Sequence, residues 1–256
     1  MDFLPMDGLM LMFLLVMGFL AAFIDACVGG GGLISIPAFM CTGLPPLTVL
    51  GTNKVASVMG AFTSFTTFIR NGKVDVPLIR RLFGLSFAGS ALGVFAVQMV
   101  PSGFLRPLIV VLLVLVAIYT VLKKDWGTEN HYHGLTKRML ILSMCAAFTL
   151  GFYDGFFGPG TGSFLMFAFL TIGFDFIGAA ANARALNFAS NIAAAIFFTY
   201  SGLVDFGYAI PTGLSMIAGA RTGARFAISH GTSFVKPLFL TVTAVMIGKQ
   251  VIELLH

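Results

Sequence analysis

Long apolar stretches follow one another along almost the whole of this chain. Only 10% of its 256 residues are charged, against roughly 25% in soluble proteins, so the chain cannot cover a water-exposed surface. An open strand would leave backbone groups unpaired in lipid, so each stretch is predicted to be a helix of an all-α, polytopic (multi-pass) membrane protein. The ten predicted helical segments lie at about 8–28, 33–43, 47–69, 78–99, 104–122, 139–157, 161–174, 180–200, 209–226 and 234–253.

This composition excludes a cytosolic enzyme, an ordinary nucleic-acid-binding protein and a disordered regulator. The motifs GxSxG, HExxH and CxxC do not occur in the sequence. We therefore expect no enzymatic activity, no catalytic residue, no cofactor and no metal site. The lipid bilayer is the first partner that the composition requires, no nucleic acid is expected, and the sequence does not indicate an oligomeric state.

The positively charged residues indicate an orientation in the membrane. The loops 70–81 and 123–138 contain four Lys or Arg residues each, whereas the segment 200–211 contains none. Cytoplasmic loops carry an excess of Lys and Arg. The loops 70–81 and 123–138 are therefore predicted to be cytoplasmic, and with ten segments both chain termini are predicted to be external.

The two halves of the sequence resemble each other. FIDACVGGGG (23–32) matches FYDGFFGPGT (152–161) at an offset of 129 residues. NKVASVMGAFTSFTTFIRNGKVD (53–75) matches ARALNFASNIAAAIFFTYSGLVD (183–205) at an offset of 130 residues. The similarity indicates an internal repeat.

Three parts are predicted from this repeat: a first repeat over 1–122, a cytoplasmic basic loop over 123–138 and a second repeat over 139–256. Each repeat contains five segments, an odd number, so the second repeat enters the membrane with inverted topology. Inverted repeats with short, glycine-broken segments at matching positions are typical of secondary transporters that work by alternating access. A duplicated channel or structural bundle is the alternative.

Two of the ten segments, 33–43 and 161–174, are short, and each follows a glycine-rich break in the chain. Irregular backbone at membrane depth is tolerated only inside protein or beside a wet cavity, and successive free N–H groups before a helix form a concavity that binds anions. Close helix packing is the alternative, and it suits the GxxxG pairs Gly89/Gly93 and Gly219/Gly223 better. The glycines predicted to bind substrate are Gly29, Gly30, Gly31, Gly32, Gly158, Gly160 and Gly162.

Two cations, Lys54 and Arg184, occupy equivalent positions within apolar sequence. A charge inside a membrane span is costly and needs a partner. Arg184, Asn187 and Asn191 share one helix face, and Asn53 precedes Lys54. We predict that these five residues bind a small oxyanion; the alternative is that both cations snorkel from the helix starts.

Asp25 and Asp154 are also equivalent, and each precedes a glycine break by four residues. They could neutralise the two cations, carry a coupling proton because burial favours the protonated carboxyl, or cap the broken helices. The sequence leaves these three roles open.

The residues that carry these predictions also resemble a known family. GFLAAFIDACVGGGGLISIPAFMCTGLPPLTVLGTNK (18–54), GFYDGFFGPGTGSF (151–164) and ALNFASN (185–191) are similar to the signatures of the TauE/SafE sulfite exporter family. The resemblance implies a bacterial-type inner-membrane transporter of sulfite, organosulfonates or related sulfur anions, often an exporter. The family pattern falls on Gly29–Gly32, Asn53, Lys54, Gly158, Gly160, Asn187 and Asn191.

One residue departs from that pattern, because Arg184 stands where a lysine is expected, which keeps the charge and changes the donor geometry. The sequence thus predicts a secondary transporter of a small sulfur oxyanion in the cell (inner) membrane, with or without proton coupling. A passive anion channel and an importer of a different small anion are the alternatives.

Overall fold

The computed structural model describes residues 8–230 except 102, 106, 112, 113 and 116–135, together with residue 252. The described residues form α1 (Gly8–Val28), α2 (Gly32–Met40), α3 (Pro46–Arg70), α4 (Val76–Gln98), α5 (Lys137–Phe156), α6 (Thr161–Thr171), α7 (Phe176–Tyr200) and α8 (Phe206–His230). Residues 103–105, 107–111 and 114–115 are also helical.

These helices confirm the prediction of an all-helical, polytopic membrane protein. In the described part of the chain, α1, α4 and α5 are long and apolar enough to cross a membrane. The predicted segment 234–253, apart from residue 252, and most of the loop 123–138 lie outside the described residues. At the far end of that loop, α5 begins two residues earlier than predicted, because Thr136 caps it by accepting a hydrogen bond from the N–H of Met139 at 3.2 Å.

Each short helix folds back on the long helix before it. At the first break Gly29 and Gly30 have φ of +83° and +88°, a conformation in which only glycine avoids a steric penalty. Gly31 then lies against Ala21 and Asp25 of α1. The helices α1 and α2 therefore form a helical hairpin.

The second half contains the corresponding hairpin of α5 and α6. Gly158 and Gly160 have φ of +100° and +80°, and the hydroxyl of Tyr153 donates a hydrogen bond to the carbonyl of Pro159 at 2.7 Å. Both breaks are shorter than the glycine pattern predicts, since Gly32 and Gly162 lie inside the first turns of α2 and α6.

The equivalent helices α3 and α7 pack against each other in antiparallel orientation. The hydroxyl of Thr52, near the start of α3, accepts a hydrogen bond at 2.9 Å from the N–H of Asp205, which follows α7. The side-chain oxygen of Asn182, near the start of α7, accepts one at 2.9 Å from the N–H of Asp75, which follows α3. Each helix therefore begins where the other ends.

Glycines bring the outer helices of the two halves into close contact. Gly89 and Gly93 of α4 lie against the backbone of α5, and Gly219 and Gly223 of α8 lie against the backbone of α1. This confirms the prediction of close packing at the GxxxG pairs. The helix α4 packs on α5 and α7, and its equivalent α8 packs on α1 and α3. Because α1 is equivalent to α5 and α3 to α7, the two halves make the same packing contacts.

Candidate functional site

The tips of the two hairpins meet inside the helix bundle. A Cβ added to Gly29 would lie 2.8 Å from the Cα of Ser163 and closer still to its backbone nitrogen. A Cβ added to Gly32 would lie 3.0 Å from the Cα of Pro159. The hydroxyl of Ser163 also donates a hydrogen bond to the carbonyl of Val28 at 3.0 Å. The tips are in backbone contact, and this contact requires glycine.

Two ion pairs at these tips connect the two halves of the chain. Lys54 Nζ lies 2.8 Å from Asp154 Oδ1, and Arg184 Nη1 contacts Asp25 Oδ2. Each pair thus joins the cation of one half to the carboxylate of the other. Lys54 and Arg184 are only 2% and 0% exposed, so both depend on these carboxylates for charge compensation.

The two carboxylates therefore pair with the buried cations, one of the three roles left open by the sequence. Asp25 also has the capping role, because its Oδ1 accepts a hydrogen bond from the N–H of Gly31, the N-cap of α2, at 3.1 Å.

Two of the predicted glycines leave room for the cations. A Cβ on Gly158 would lie 2.8 Å from the Nζ of Lys54, and a Cβ on Gly162 would lie 2.9 Å from the Nη1 of Arg184. Glycine at these positions therefore lets an ammonium and a guanidinium reach the backbone of the second hairpin.

The two equivalent pairs differ in their access to the surface. The side chain of Asp25 is 23% exposed, whereas that of Asp154 is 2% exposed. Asp154 Oδ2, Arg184 Nε and Arg184 Nη2 are buried with no hydrogen-bond partner among the described residues. Asp25 is thus partly accessible, whereas the Lys54–Asp154 pair is buried.

A cavity of about 40 Å³ lies between the hairpin tips and α3, α7 and α8. One water needs roughly 10–15 Å³ measured in this way, so the cavity has room for a few waters or one small ion. Eleven predicted residues line it: Asp25, Gly31, Gly32, Asn53, Lys54, Asp154, Gly158, Gly160, Gly162, Asn187 and Asn191.

Three predicted residues do not line the cavity. Gly29 and Gly30 form the tip of the first hairpin, where Gly29 contacts α6. Arg184 is fully buried beside Gly162. Its contact with the cavity is made through its partner, Asp25.

The cavity also includes residues outside the predicted set, among them Ser57, Ser64 and Met216. The two serines follow Lys54 at helical spacing and lie on the same face of α3. Their place in the cavity could therefore have been predicted from the position of Lys54. Met216 comes from α8 of the other half and has no local signal in the sequence.

Hydrogen bonds between helices hold the asparagine face of α7 in place. Ser86 and Ser90 of α4 donate to the carbonyls of Leu186 and Ser190 at 2.9 and 2.6 Å. Asn191 Nδ2 donates to the carbonyl of Asn187 at 2.7 Å, so part of its hydrogen-bonding capacity is used within α7.

Together, the fold and the site define a polytopic helical membrane protein with a charged cavity where two broken-helix hairpins meet. The chain belongs to the sulfite exporter TauE/SafE family, whose sequence profile matches residues 14–249. Membership of this family identifies it as a membrane transporter.

Several relatives bear the name "Probable membrane transporter protein". One from Sinorhizobium sp., designated ORF9, is 37% identical over 91% of this chain and 89% of its own length. One from Haemophilus influenzae is 35% identical over 95% of both chains. A third, YfcA of Escherichia coli K12, is 36% identical over 94% of this chain and 89% of its own. No solved structure shows significant similarity to the chain.

Proposed function

We propose that this protein is a secondary transporter that moves a small sulfur oxyanion, sulfite above all, by alternating access. The observation that carries the proposal is the pair of buried cations, one from each half, brought to the tips of two hairpins that enclose one cavity. An oxyanion entering there would meet the Lys54 ammonium, the asparagine side chains of α7 and the backbone of the glycine breaks.

The cavity is large enough for the head group that sulfite and an organosulfonate share. About 40 Å³ corresponds to roughly three waters, and sulfite has only four non-hydrogen atoms. The description of the family as sulfite exporters supports sulfite as the anion and the outward direction.

The packing of the two halves supports inverted repeats and alternating access. Equivalent helices that run antiparallel are what inverted repeats predict, and such repeats can rock about a site at their interface. The segment 70–81 leads from α3 into α4, which begins at Val76, and the segment 200–211 leads from α7 into α8, which begins at Phe206, so the two segments lie at opposite ends of the bundle. We accordingly infer a cell inner-membrane location with the loops 70–81 and 123–138 cytoplasmic and both termini external.

Flux measurements in sealed proteoliposomes test this function. Sulfite flux is expected to saturate with concentration and to exceed the flux of sulfoacetate, taurine and sulfate. Lys54→Ala is expected to abolish it, and Lys73→Ala, which changes an exposed lysine beyond the end of α3, is the matched control. Flux that never saturates would favour a channel, and normal sulfite flux in Lys54→Ala would refute the site.

A further inference from the structure

We propose that the protein moves its anion together with protons, one proton for each negative charge, and that Asp154 carries a proton. This inference rests on the proposed anion transport and adds its co-substrate. It makes transport electrically neutral, so the pH gradient would act on it and the membrane potential would not. Export would then be driven by the outward concentration gradient of the anion itself.

The charges of the site lead to this inference. Lys54 and Arg184 contribute two positive charges, and Asp25 and Asp154 contribute two negative charges, so the ionised site is neutral. An anion that entered the cavity would add an uncompensated charge in a buried environment, which is costly. A proton that binds a carboxylate at the same time keeps the site neutral.

The two carboxylates differ in their capacity to accept this proton. Both oxygens of Asp25 have donors, Gly31 N–H for Oδ1 and the Arg184 guanidinium for Oδ2. An arginine side chain stays protonated in proteins, so Asp25 is paired with a permanent cation and has no oxygen left without a donor. Asp154 has one partner, Lys54, for Oδ1, while its Oδ2 is buried without any partner in the described part of the chain.

Asp154 therefore has a vacant oxygen in a residue that lines the cavity. As a bare carboxylate oxygen it repels an oxyanion, whereas as a hydroxyl it donates a hydrogen bond to one. Protonation also ends the full charge pairing with Lys54 and makes its ammonium available to the anion.

The other groups around Asp154 do not replace it as the proton carrier. The helix α6 contains no titratable side chain. The contacts of α4 with α5 include Ser86, Gly89, Ser90 and Gly93, none of which titrates. From α7 and α1 come Arg184 and Asp25, which pair with each other. On α5 itself, the Tyr153 hydroxyl already donates to a backbone carbonyl.

The transport cycle balances in charge and in protons. On one side of the membrane, a proton joins Asp154 Oδ2 and the anion pairs with Lys54 as a monoanion. A dianion such as SO₃²⁻ first takes up its second proton itself and enters as HSO₃⁻. On the other side both leave, and the Lys54–Asp154 pair forms again. The loaded and the empty sites are both neutral, so both can pass through the buried state without moving net charge.

The test uses wild-type proteoliposomes with sulfite, an internal pH dye and a potassium–valinomycin potential clamp. At zero potential, a gradient of one pH unit is expected to sustain about a tenfold accumulation of a monoanion, with protons entering alongside. Setting the potential to either sign is expected to leave the rate unchanged. Flux that follows the potential and ignores the pH gradient would overturn the inference while leaving anion transport intact.

A variant assigns the proton to its residue. Asp154→Asn cannot take up a proton at this position, so the response of its sulfite flux to a pH gradient, measured relative to the sulfite–sulfite exchange that the variant retains, is expected to disappear. Asp175→Asn is the matched control, because asparagine caps α7 as aspartate does. A full pH response in Asp154→Asn would refute the assignment. Failure of the wild type to exchange sulfite would refute the proposed function itself, and the wild-type measurements decide the coupling even if the variant does not fold.

Discussion

Replacing Gly93 by alanine is expected to push α4 away from α5 and to weaken the contact between the two halves. The new Cβ would lie 2.6 Å from the backbone nitrogen of Phe156 and closer still to the carbonyl oxygen of Phe152. Ordinary contact begins at 3.4 Å, so the two helix backbones must separate by at least about 0.8 Å. Both obstructing atoms belong to the main chain, and no side chain can rotate to make room.

Gly84 of the same helix is the matched control, because a Cβ added there would meet nothing within 4 Å. Overpacking typically costs about 1–3 kcal/mol, whereas an unobstructed Gly→Ala change in a helix gains roughly 0.5–1 kcal/mol. Gly93→Ala is therefore expected to be about 1.5–4 kcal/mol less stable than Gly84→Ala.

Thermal and denaturant unfolding of both purified variants in one detergent measures this difference. Gly223→Ala, whose Cβ would meet the backbone of Phe23 in α1, is expected to repeat the loss at the equivalent contact. Equal stability of Gly93→Ala and Gly84→Ala would refute the close helix packing.

Three further predictions concern the hairpin tips, the cavity and the start of α4. Gly29→Ala is expected to separate the hairpin tips and to abolish sulfite flux. Gly43→Ala is expected to retain the flux, because Gly43 has a similar positive φ and an added Cβ there meets nothing within 4 Å. Equal loss of flux in both variants would point to backbone strain instead. In a background without native cysteines, Ser57→Cys, which lines the cavity and is partly exposed, is expected to react with a polar thiol reagent faster than Asn187→Cys at the equivalent, buried position. Sulfite exchange is expected to reduce that ratio, and equal rates at rest would refute the asymmetry of the site. Asn182→Ala removes the side-chain oxygen that accepts the hydrogen bond from the N–H of Asp75, at the start of α4. It is expected to lower the free energy of unfolding by about 1–3 kcal/mol, measured by thermal unfolding. An unchanged unfolding transition would show that this hydrogen bond contributes nothing.

The helical segments could be predicted because apolar length and the need to pair backbone groups in lipid leave few alternative structures. The hairpin breaks were equally visible, since several glycines close together in an apolar stretch strongly disfavour a continuous helix. The lengths of the two breaks could not be predicted. Gly32 and Gly162 belong to the first turns of α2 and α6, which only the folded chain reveals.

The partners of the charged residues could not be predicted. The sequence left open which carboxylate each cation contacts, since Lys54 and Asp154 are far apart along the chain. Their contact depends on how α3 packs against the second hairpin. Met216 lines the cavity for the same kind of reason, because α8 packs on helices of the other half. Contacts that arise from the docking of one half on the other have no local pattern.

Each ion pair joins a cation of one half to a carboxylate of the other, and the two pairs are the same interaction formed twice. Two identical half-length chains inserted in opposite directions would form both pairs with each other, whereas one such chain alone would bury its charges unpaired. A half-length chain of this kind would therefore need to assemble as an antiparallel homodimer. In a single chain the equivalent positions need not be identical, and here they hold Lys54 and Arg184, so the two faces of the carrier need not be equivalent.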